Sequence, residues 1–170
     1  NQKKSFYKVK NMEAINTPFT EYAPVYSNSQ LYFTSSRANA KIYEATGTPF
    51  TDLYVAATNG ANVDVNTIAP LPDFINAPNI NEGTITFTPD GKTMIFGKGN
   101  SGKRKGTPDV DLYLSRFRNG TWEEPIPLNI NQPDAWESTP ALAPDGRTLY
   151  FSSNRKGGYG GLDLYSAQMD

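Results

Sequence analysis

The sequence predicts an all-β protein that uses one antiparallel sheet three times, and three observations lead to this prediction. The 14 Gly and 13 Pro residues are spread along the whole chain of 170 residues, which indicates frequent turns between short elements. Tyr and Phe are abundant, at 10 and 9 residues, as expected for strands that bury aromatic side chains. A segment that begins with Glu and ends with Phe recurs three times.

The three copies of this segment define the repeat. Two copies match without a gap, Glu82–Phe96 (EGTITFTPDGKTMIF) and Glu137–Phe151 (ESTPALAPDGRTLYF), and a weaker first copy is Glu21–Phe33 (EYAPVYSNSQLYF). The three Glu residues are separated by 61 and then 55 residues. Variation in the loops of an otherwise constant unit is typical of repeat architectures.

Each copy predicts a hairpin followed by a third strand. Pro89–Lys92 and Pro144–Arg147 read as tight turns, because Pro presets φ and Gly tolerates positive φ, so each turn joins two strands. The third strand begins with Asp-Leu-Tyr, at Asp52, Asp111 and Asp163.

A fourth strand is expected after the second copy. The Asn119-Gly120 turn is a strong hairpin signal, and the strand after it runs through Trp122 towards Pro127. Asn59-Gly60 has the same role after the first copy.

Four antiparallel strands repeated at this period predict the blades of a β-propeller. The whole chain, residues 1–170, is one propeller segment with blades at about residues 19–70, 80–128 and 135–170. Residues 5–15 are predicted to be an outer strand of a neighbouring or closing blade. A usual ring has roughly 4 to 8 blades, so three blades are part of a larger propeller or are completed by a second chain.

Composition excludes several function classes. The net charge of −1 provides no field that would attract nucleic acid, and no apolar run reaches the roughly 20 residues that cross a bilayer. The absence of Cys excludes disulfides and thiolate metal sites but does not fix the compartment. The first residue is Asn and not Met, which is consistent with removal of a leader or an upstream region.

The residue types argue against an enzyme. His is absent, which removes the usual general base and metal ligand, and leaves only Ser-Lys or paired-carboxylate mechanisms. Glu123 and Glu124 are adjacent on a predicted strand, so they point to opposite faces. The run 97–104 (GKGNSGKR) resembles a phosphate-binding loop but ends in Arg104 where Ser or Thr is required. We therefore predict no catalytic and no cofactor-binding residue.

Carboxylates that recur in every copy are expected to build the blades. They are Glu21, Glu82, Glu137, Asp52, Asp111 and Asp163. A buried carboxylate would bind backbone N–H groups or pair with Arg37 and Arg155, and so fix neighbouring blades in register. The alternative is a hard cation such as calcium, for which Asp109 and Asp111 are the candidate ligands.

Two loops are candidates for contact with a partner. Lys103, Arg104 and Lys105 form a basic loop that suits an acidic protein surface. Tyr159 lies in the Gly-rich run 157–161 (GGYGG), which is either a binding loop or a long hairpin turn.

The string Phe151–Tyr165 (FSSNRKGGYGGLDLY), preceded by Pro144-Asp145-Gly146, resembles the TolB-type, WD-repeat-like propeller repeat. More narrowly, it resembles the version in Bacteroidetes outer-membrane-associated proteins, including gliding-motility and type IX secretion components, where an OmpA-like domain follows the propeller. The resemblance covers Glu21 to Tyr165. The first copy departs from it by having Ser27–Gln30 in place of Pro-Asp-Gly, and the second by having Gly99-Asn100 where the third has Asn154-Arg155.

The resemblance implies a function that the residues alone do not. It implies a non-enzymatic, periplasmic scaffold associated with the outer membrane, whose partners are proteins of an envelope complex. Two alternatives remain open at the level of sequence: a propeller that accompanies or gates a serine peptidase, and a glycan-binding propeller.

Overall fold

Three antiparallel sheets of three to five strands and one small two-stranded hairpin make up the described part of the protein. They are seen in a computed structural model that describes residues 7–37, 41–44, 46–99 and 110–169. Within these residues the chain has no α-helix, and one 3-10 turn at Val65–Thr67 is the only helical element. The predicted fold class, an all-β partial propeller, is confirmed. Nothing helical in the described ranges has the length and hydropathy to cross a bilayer.

The first sheet is formed by strands that follow one another along the chain. They are β1 (Glu21–Ser27), β2 (Gln30–Ser35), β5 (Asp52–Asn59), β6 (Asn62–Val63) and β7 (Ala69–Pro70). A separate hairpin, β3 (Ile42–Tyr43) with β4 (Thr48–Pro49), lies in the loop between β2 and β5. Both β6 and β7 pair with β5, so the fourth strand of this sheet is in two pieces.

The second sheet repeats this order. Its strands are β8 (Asn81–Phe87), β9 (Thr93–Gly99), β10 (Asp111–Arg118), β11 (Thr121–Trp122) and β12 (Ile126–Pro127). The sequence predicts one continuous fourth strand here, but β11 and β12 are separate and pair with different parts of β10. Pro125 lies between them and lacks the N–H group that a continuous ladder needs.

The third sheet has three strands in the described residues, β13 (Glu137–Leu142), β14 (Thr148–Ser153) and β15 (Asp163–Gln168). Residues 7–20 form no strand, and Val9 is 95 % exposed. The predicted outer strand at residues 5–15 begins outside the described residues and stays a prediction.

The hairpin between the first two strands of each sheet uses residues with positive φ. Gly91 and Gly146 have φ of 66° and 68° in the two Pro-Asp-Gly turns. In the first sheet the turn residues are Asn28 and Ser29, with φ of 47° and 58°. The hairpin tips also touch, because the Asn28 side chain donates to the backbone oxygen of Asp90 at 3.0 Å.

Apolar side chains between adjacent sheets form the core. The first interface contains Tyr32, Leu53, Leu71, Ile75, Ile85, Met94, Phe96 and Trp122, and the second contains Ile95, Leu112, Leu114, Leu149 and Phe151. The Leu of Asp-Leu-Tyr is 0 % exposed at Leu53 and Leu112. Burial of each such side chain stabilises the fold by about 1.5–3 kcal/mol. The corresponding Leu164 in the third sheet is 84 % exposed.

Candidate functional site

A carboxylate that is buried or largely buried lies at the start of the first strand of each sheet, at Glu21, Glu82 and Glu137. In the third sheet, Glu137 is 0 % exposed and its Oε1 accepts hydrogen bonds from Ser153 Oγ at 2.9 Å and Arg155 Nη2 at 3.0 Å. In the first sheet, Glu21 Oε1 accepts from Ser35 Oγ at 2.9 Å and from Arg37 Nη2 at 3.4 Å. The structure therefore brings Glu21 to Arg37 and Glu137 to Arg155.

The two arginines also stack on an aromatic pair of their own sheet. The Arg155 guanidinium lies 4.9 Å from the Phe151 ring centre and 5.1 Å from that of Tyr165. Arg37 lies at 4.9 Å and 5.2 Å from the equivalent rings of Phe33 and Tyr54. Each cation is thus held by a carboxylate and by two ring faces, an arrangement that fixes its position.

The second sheet uses one lysine in place of this Ser and Arg pair. Lys98 lies opposite Glu82 on the neighbouring strand, where the other sheets have Ser35 and Ser153, and its Nζ is 3.5 Å from Glu82 Oε1. Glu82 Oε2 is buried and has no hydrogen-bond partner among the described residues. Burial therefore raises the pKa of Glu82 to about 8, against the opposing charge of Lys98.

The equivalent carboxyl in the first sheet ionises more easily. Partial burial raises the pKa of Glu21, but hydrogen bonds from Thr17 and Ser35 and the charge of Arg37 outweigh burial. The pKa of Glu21 is consequently below its ordinary value. Glu21 and Glu82 thus occupy the same position of the repeat, but their pKa values are shifted in opposite directions.

The carboxylate and cation of each sheet hold a connecting segment with the sequence Ile-Asn-x-Pro, at Ile15–Pro18, Ile75–Pro78 and Ile130–Pro133. The amide of the third residue donates to the Glu of the same sheet; these amides belong to Thr17, Ala77 and Gln132. The carbonyl oxygen of each Ile accepts a hydrogen bond from the cation; these cations are Arg37, Lys98 and Arg155.

In the second and third sheets, the Asn of this segment joins its own sheet to the preceding one. Asn76 Oδ1 accepts from the Leu53 amide at 2.9 Å, and Asn76 Nδ2 donates to the Leu53 oxygen at 3.0 Å. Asn131 makes the same two bonds to Leu112, at 3.0 and 2.9 Å. We call this two-bond contact the Asn clamp. It satisfies backbone groups on the outer edge of a third strand, which would otherwise be buried unpaired.

Sequence reasoning missed the Asn clamp although a signal was present. Ile-Asn-x-Pro occurs 7 residues before Glu82 and Glu137, and 6 residues before Glu21. The motif precedes the Glu at which each copy begins, and so it lies outside the segments that define the repeat.

We predict that the Asn clamp contributes measurably to stability. Asn131→Ala leaves the Leu112 amide without its partner, so we expect the free energy of unfolding to fall by about 1–3 kcal/mol in urea titrations. Asn16→Ala is the matched control, because Asn16 has the same place in the motif but bonds Asn11 within its own loop. Equal losses in the two variants, compared at low protein concentration, would contradict the clamp.

The three Asp residues of Asp-Leu-Tyr have different surroundings. Burial, together with the nearby charge of Asp73, raises the pKa of Asp52 above its ordinary value. Asp163 Oδ2 accepts from the amides of Tyr159 at 2.8 Å and Gly160 at 3.1 Å. Asp111 lies opposite Lys98 in the β9/β10 register. These carboxylates recur in sequence but do not share one set of contacts.

The candidate calcium ligands Asp109 and Asp111 stay a prediction, because Asp109 lies outside the described residues. Within the described residues, no three Asp or Glu side chains meet as a metal-binding group. We predict that a chelator leaves the melting temperature unchanged, measured by calorimetry before and after calcium is added back. A fall of several degrees that calcium reverses would establish the cation site.

The first strands of the sheets carry a repeated bulge. The second residue after each Glu has positive φ: Ala23 at 50°, Thr84 at 48° and Thr139 at 47°. The ladder shifts register at the same place in all three sheets. Such angles cost about 1–2 kcal/mol for a residue with a Cβ atom. The bulges border a cavity of about 220 Å³ whose lining includes Tyr22 and Trp136.

The structure describes one of the two candidate contact loops, the one that contains Tyr159. Lys103, Arg104 and Lys105 lie outside the described residues. Tyr159 is fully exposed at the tip of the loop between β14 and β15. The hydrogen bonds from the backbone amides of Tyr159 and Gly160 to the Asp163 carboxylate fix this loop next to the third strand.

The comparisons with known proteins identify the fold. No protein-family model and no curated protein matches the chain. The crystal structure of TolB from Acinetobacter baumannii superposes on 86 % of this chain with a TM-score of 0.53 and 16 % identity. The chain spans 29 % of that TolB chain.

Two peptidase structures align less closely. A structure from a study of two prolyl endopeptidases covers 88 % of this chain and 20 % of its own chain, with a TM-score of 0.47 and 14 % identity. Prolyl oligopeptidase B from Galerina marginata covers 89 % of this chain and 29 % of its own, with a TM-score of 0.35 and 15 % identity.

The match to TolB shows that the chain has a TolB-like propeller fold.

Proposed function

We propose that this propeller segment is a non-enzymatic scaffold that binds proteins in the bacterial cell envelope, on the periplasmic side of the outer membrane. The observation that carries the proposal is Tyr159. Its ring is fully exposed, while its backbone is fixed by the hydrogen bonds from Tyr159 and Gly160 to Asp163. An exposed aromatic on a fixed loop loses little conformational entropy when it binds, which suits a protein contact.

Two of the recurring carboxylates support a scaffold because their hydrogen bonds are made within the blades. Glu21 and Glu137 each accept hydrogen bonds from a Ser, an Arg and a backbone amide of their own sheet. These hydrogen bonds lie within the protein, and Glu137 is fully buried, so solvent and substrates do not reach it. The sequence also contains no His to serve as general base.

The cellular placement rests on the resemblance of Phe151–Tyr165 to the TolB-type repeat of Bacteroidetes envelope proteins. A TolB-like fold supports this placement, and fold alone does not determine function. Within that frame we assign the protein to an outer-membrane complex of the type IX secretion or gliding-motility kind.

The experiment is site-specific photocrosslinking in the bacterium that encodes the chain. A photoreactive phenylalanine analogue replaces Tyr159 in one strain and Tyr26, which is exposed on β1, in a control strain. We expect one discrete adduct with an envelope protein from the Tyr159 strain and none from the control. Identification of the adduct by mass spectrometry names the partner.

Three outcomes would overturn the proposal. They are the absence of any adduct at Tyr159, an adduct with a cytoplasmic protein, and hydrolysis of a peptide or glycan substrate by the purified protein. Hydrolysis, or tight binding on a glycan array, would favour the peptidase-associated or glycan-binding alternatives.

A further inference from the structure

The third sheet presents an edge that the other two sheets cover. In the first two sheets an Asn clamp bonds the backbone N–H and C=O of the Leu of Asp-Leu-Tyr at the outer edge of its strand. The same C=O also accepts a hydrogen bond from a backbone amide, that of Leu71 or Leu128. No strand or connecting segment of the described chain covers the outer edge of β15. At the equivalent register position Leu164 is 84 % exposed. Tyr150 on β14, which lies opposite Ser166 on the same face of the sheet, is half exposed.

The N-terminal part of the chain carries the complementary half of this contact. Ile15–Pro18 is an Ile-Asn-x-Pro segment, and Glu21 and Arg37 hold it as the other two segments are held. Its Asn16 clamps no strand, and its Nδ2 donates to Asn11 in the same loop at 2.8 Å. The residues just before it, 7–12, form no strand in the described chain.

We propose that residues 7–18 of one copy of this chain dock on the β15 edge of a second copy. In this contact Asn16 clamps the backbone N–H and C=O of Leu164, as Asn76 clamps Leu53. Residues 7–10 add a short outer strand beside β15, in the place that β7 has beside β5. The exposed side chains of Leu164 and Tyr150 of the second copy are then buried against the first sheet of the first copy.

The choice of a second copy follows from continuity with the interfaces within the chain. Both internal interfaces use the same clamp, the same Leu and a Glu amide donating to the residue before the Asp, as Glu82 does to Thr51 and Glu137 to Val110. Within the described residues, Asn16 is an Asn of this motif that clamps no strand, and Leu164 is a Leu of Asp-Leu-Tyr that no Asn clamps. These two surfaces are complementary, so one copy fits the next head to tail.

Closure supports a dimer in particular. Two copies supply six sheets, which lies within the roughly 4 to 8 blades of usual propellers. Each copy then gives one N-terminal segment and accepts one, so a two-fold arrangement leaves no open edge.

The test is sedimentation velocity of the full chain from about 1 µM to about 200 µM, where association is set by concentration. We expect a dimer that Leu164→Asp and Asn16→Ala each weaken at least tenfold. Ile42→Asp is the matched control, because it removes an exposed apolar side chain from the β3–β4 hairpin and should leave the dimer intact. A wild-type chain that stays monomeric, or a dimer that both substitutions spare, overturns the proposal.

A mixture of the two variants separates this contact from a face-to-face dimer. Leu164→Asp retains a working N-terminal segment and Asn16→Ala retains a working β15 edge. A mixed dimer therefore keeps one of its two contacts intact and should be more stable than the dimer of either variant alone. Native mass spectrometry with one isotope-labelled variant detects it, and its absence contradicts the head-to-tail arrangement.

Hydrogen exchange gives an independent measurement, because self-association through another surface would not protect the Leu164 amide. We expect the Leu164 amide to be protected at high concentration and exposed at low concentration. The clamped amides of Leu53 and Leu112 serve as internal references, because they are bonded within one copy. Exchange at Leu164 that does not change with concentration overturns the proposal.

Discussion

Glu137→Ala is expected to lower the free energy of unfolding by about 3–5 kcal/mol, because it leaves the Arg155 charge without its buried partner. Glu137 is fully buried and Arg155 is largely buried, so neither group regains full hydration in the variant. The change also removes the acceptor for Ser153 and for the Gln132 amide. Urea denaturation followed by tryptophan fluorescence measures the effect.

The matched control for this prediction is Glu123→Ala. Glu123 pairs with Arg118 at 3.5 Å, but both side chains are exposed, and exposed pairs contribute about 0–1 kcal/mol. A loss at Glu137 no larger than the loss at Glu123 would refute a structural role for the recurring glutamates. Conservative Glu137→Gln should recover part of the loss, because its amide oxygen still accepts from Ser153.

Glu82→Gln is expected to stabilise the protein above neutral pH. The pKa of Glu82 in the folded state is raised from 4.5 to about 8, so folding favours the protonated carboxyl. This contribution is fully present below pH 4.5 and is lost as the pH rises towards about 8. At about 1.4 kcal/mol per pKa unit, the decline amounts to a few kcal/mol.

Gln mimics the protonated carboxyl and does not titrate. We therefore expect Glu82→Gln and the wild type to have similar stability at pH 5, and the variant to be more stable at pH 8. Melting temperatures across this range measure the difference, and carbon-13 NMR of the Glu82 carboxyl measures its pKa directly. A variant that follows the wild-type curve at every pH would show that Glu82 is not the titrating group.

The sequence was sufficient to predict the sheets because the turn residues of the repeat mark where its strands end. The Pro-Asp-Gly turns at Pro89 and Pro144 lie where the structure has hairpins. The Glu-to-Phe segments cover almost all of the first strand and the first four residues of the second strand of each sheet. Recurrence also identified Glu137 and Arg155, which lie 3.0 Å apart. Their structural role stays a prediction until Glu137→Ala is measured.

The rest could not be read from the repeat, for physical reasons. Ala23, Thr84 and Thr139 adopt positive φ although Ala and Thr do not favour it, so their tertiary surroundings impose the bulge. Lys98 lies at the position of a Ser yet binds the carboxylate as an Arg does elsewhere, because its long side chain reaches across the strand pair.

The touching hairpin tips restrict where the molecule can accept change. A Cβ atom on Gly91 would overlap the Asn28 side chain, and one on Gly146 would meet Pro89 at 3.0 Å, so tips of adjacent sheets have no spare room. The segments that join the second strand to the third, residues 36–51, 100–110 and 154–162, differ in length from one copy to the next. New peptide epitopes or affinity tags are therefore better grafted between the second and third strands of the first two sheets than at the hairpin tips, and natural insertions should accumulate there too.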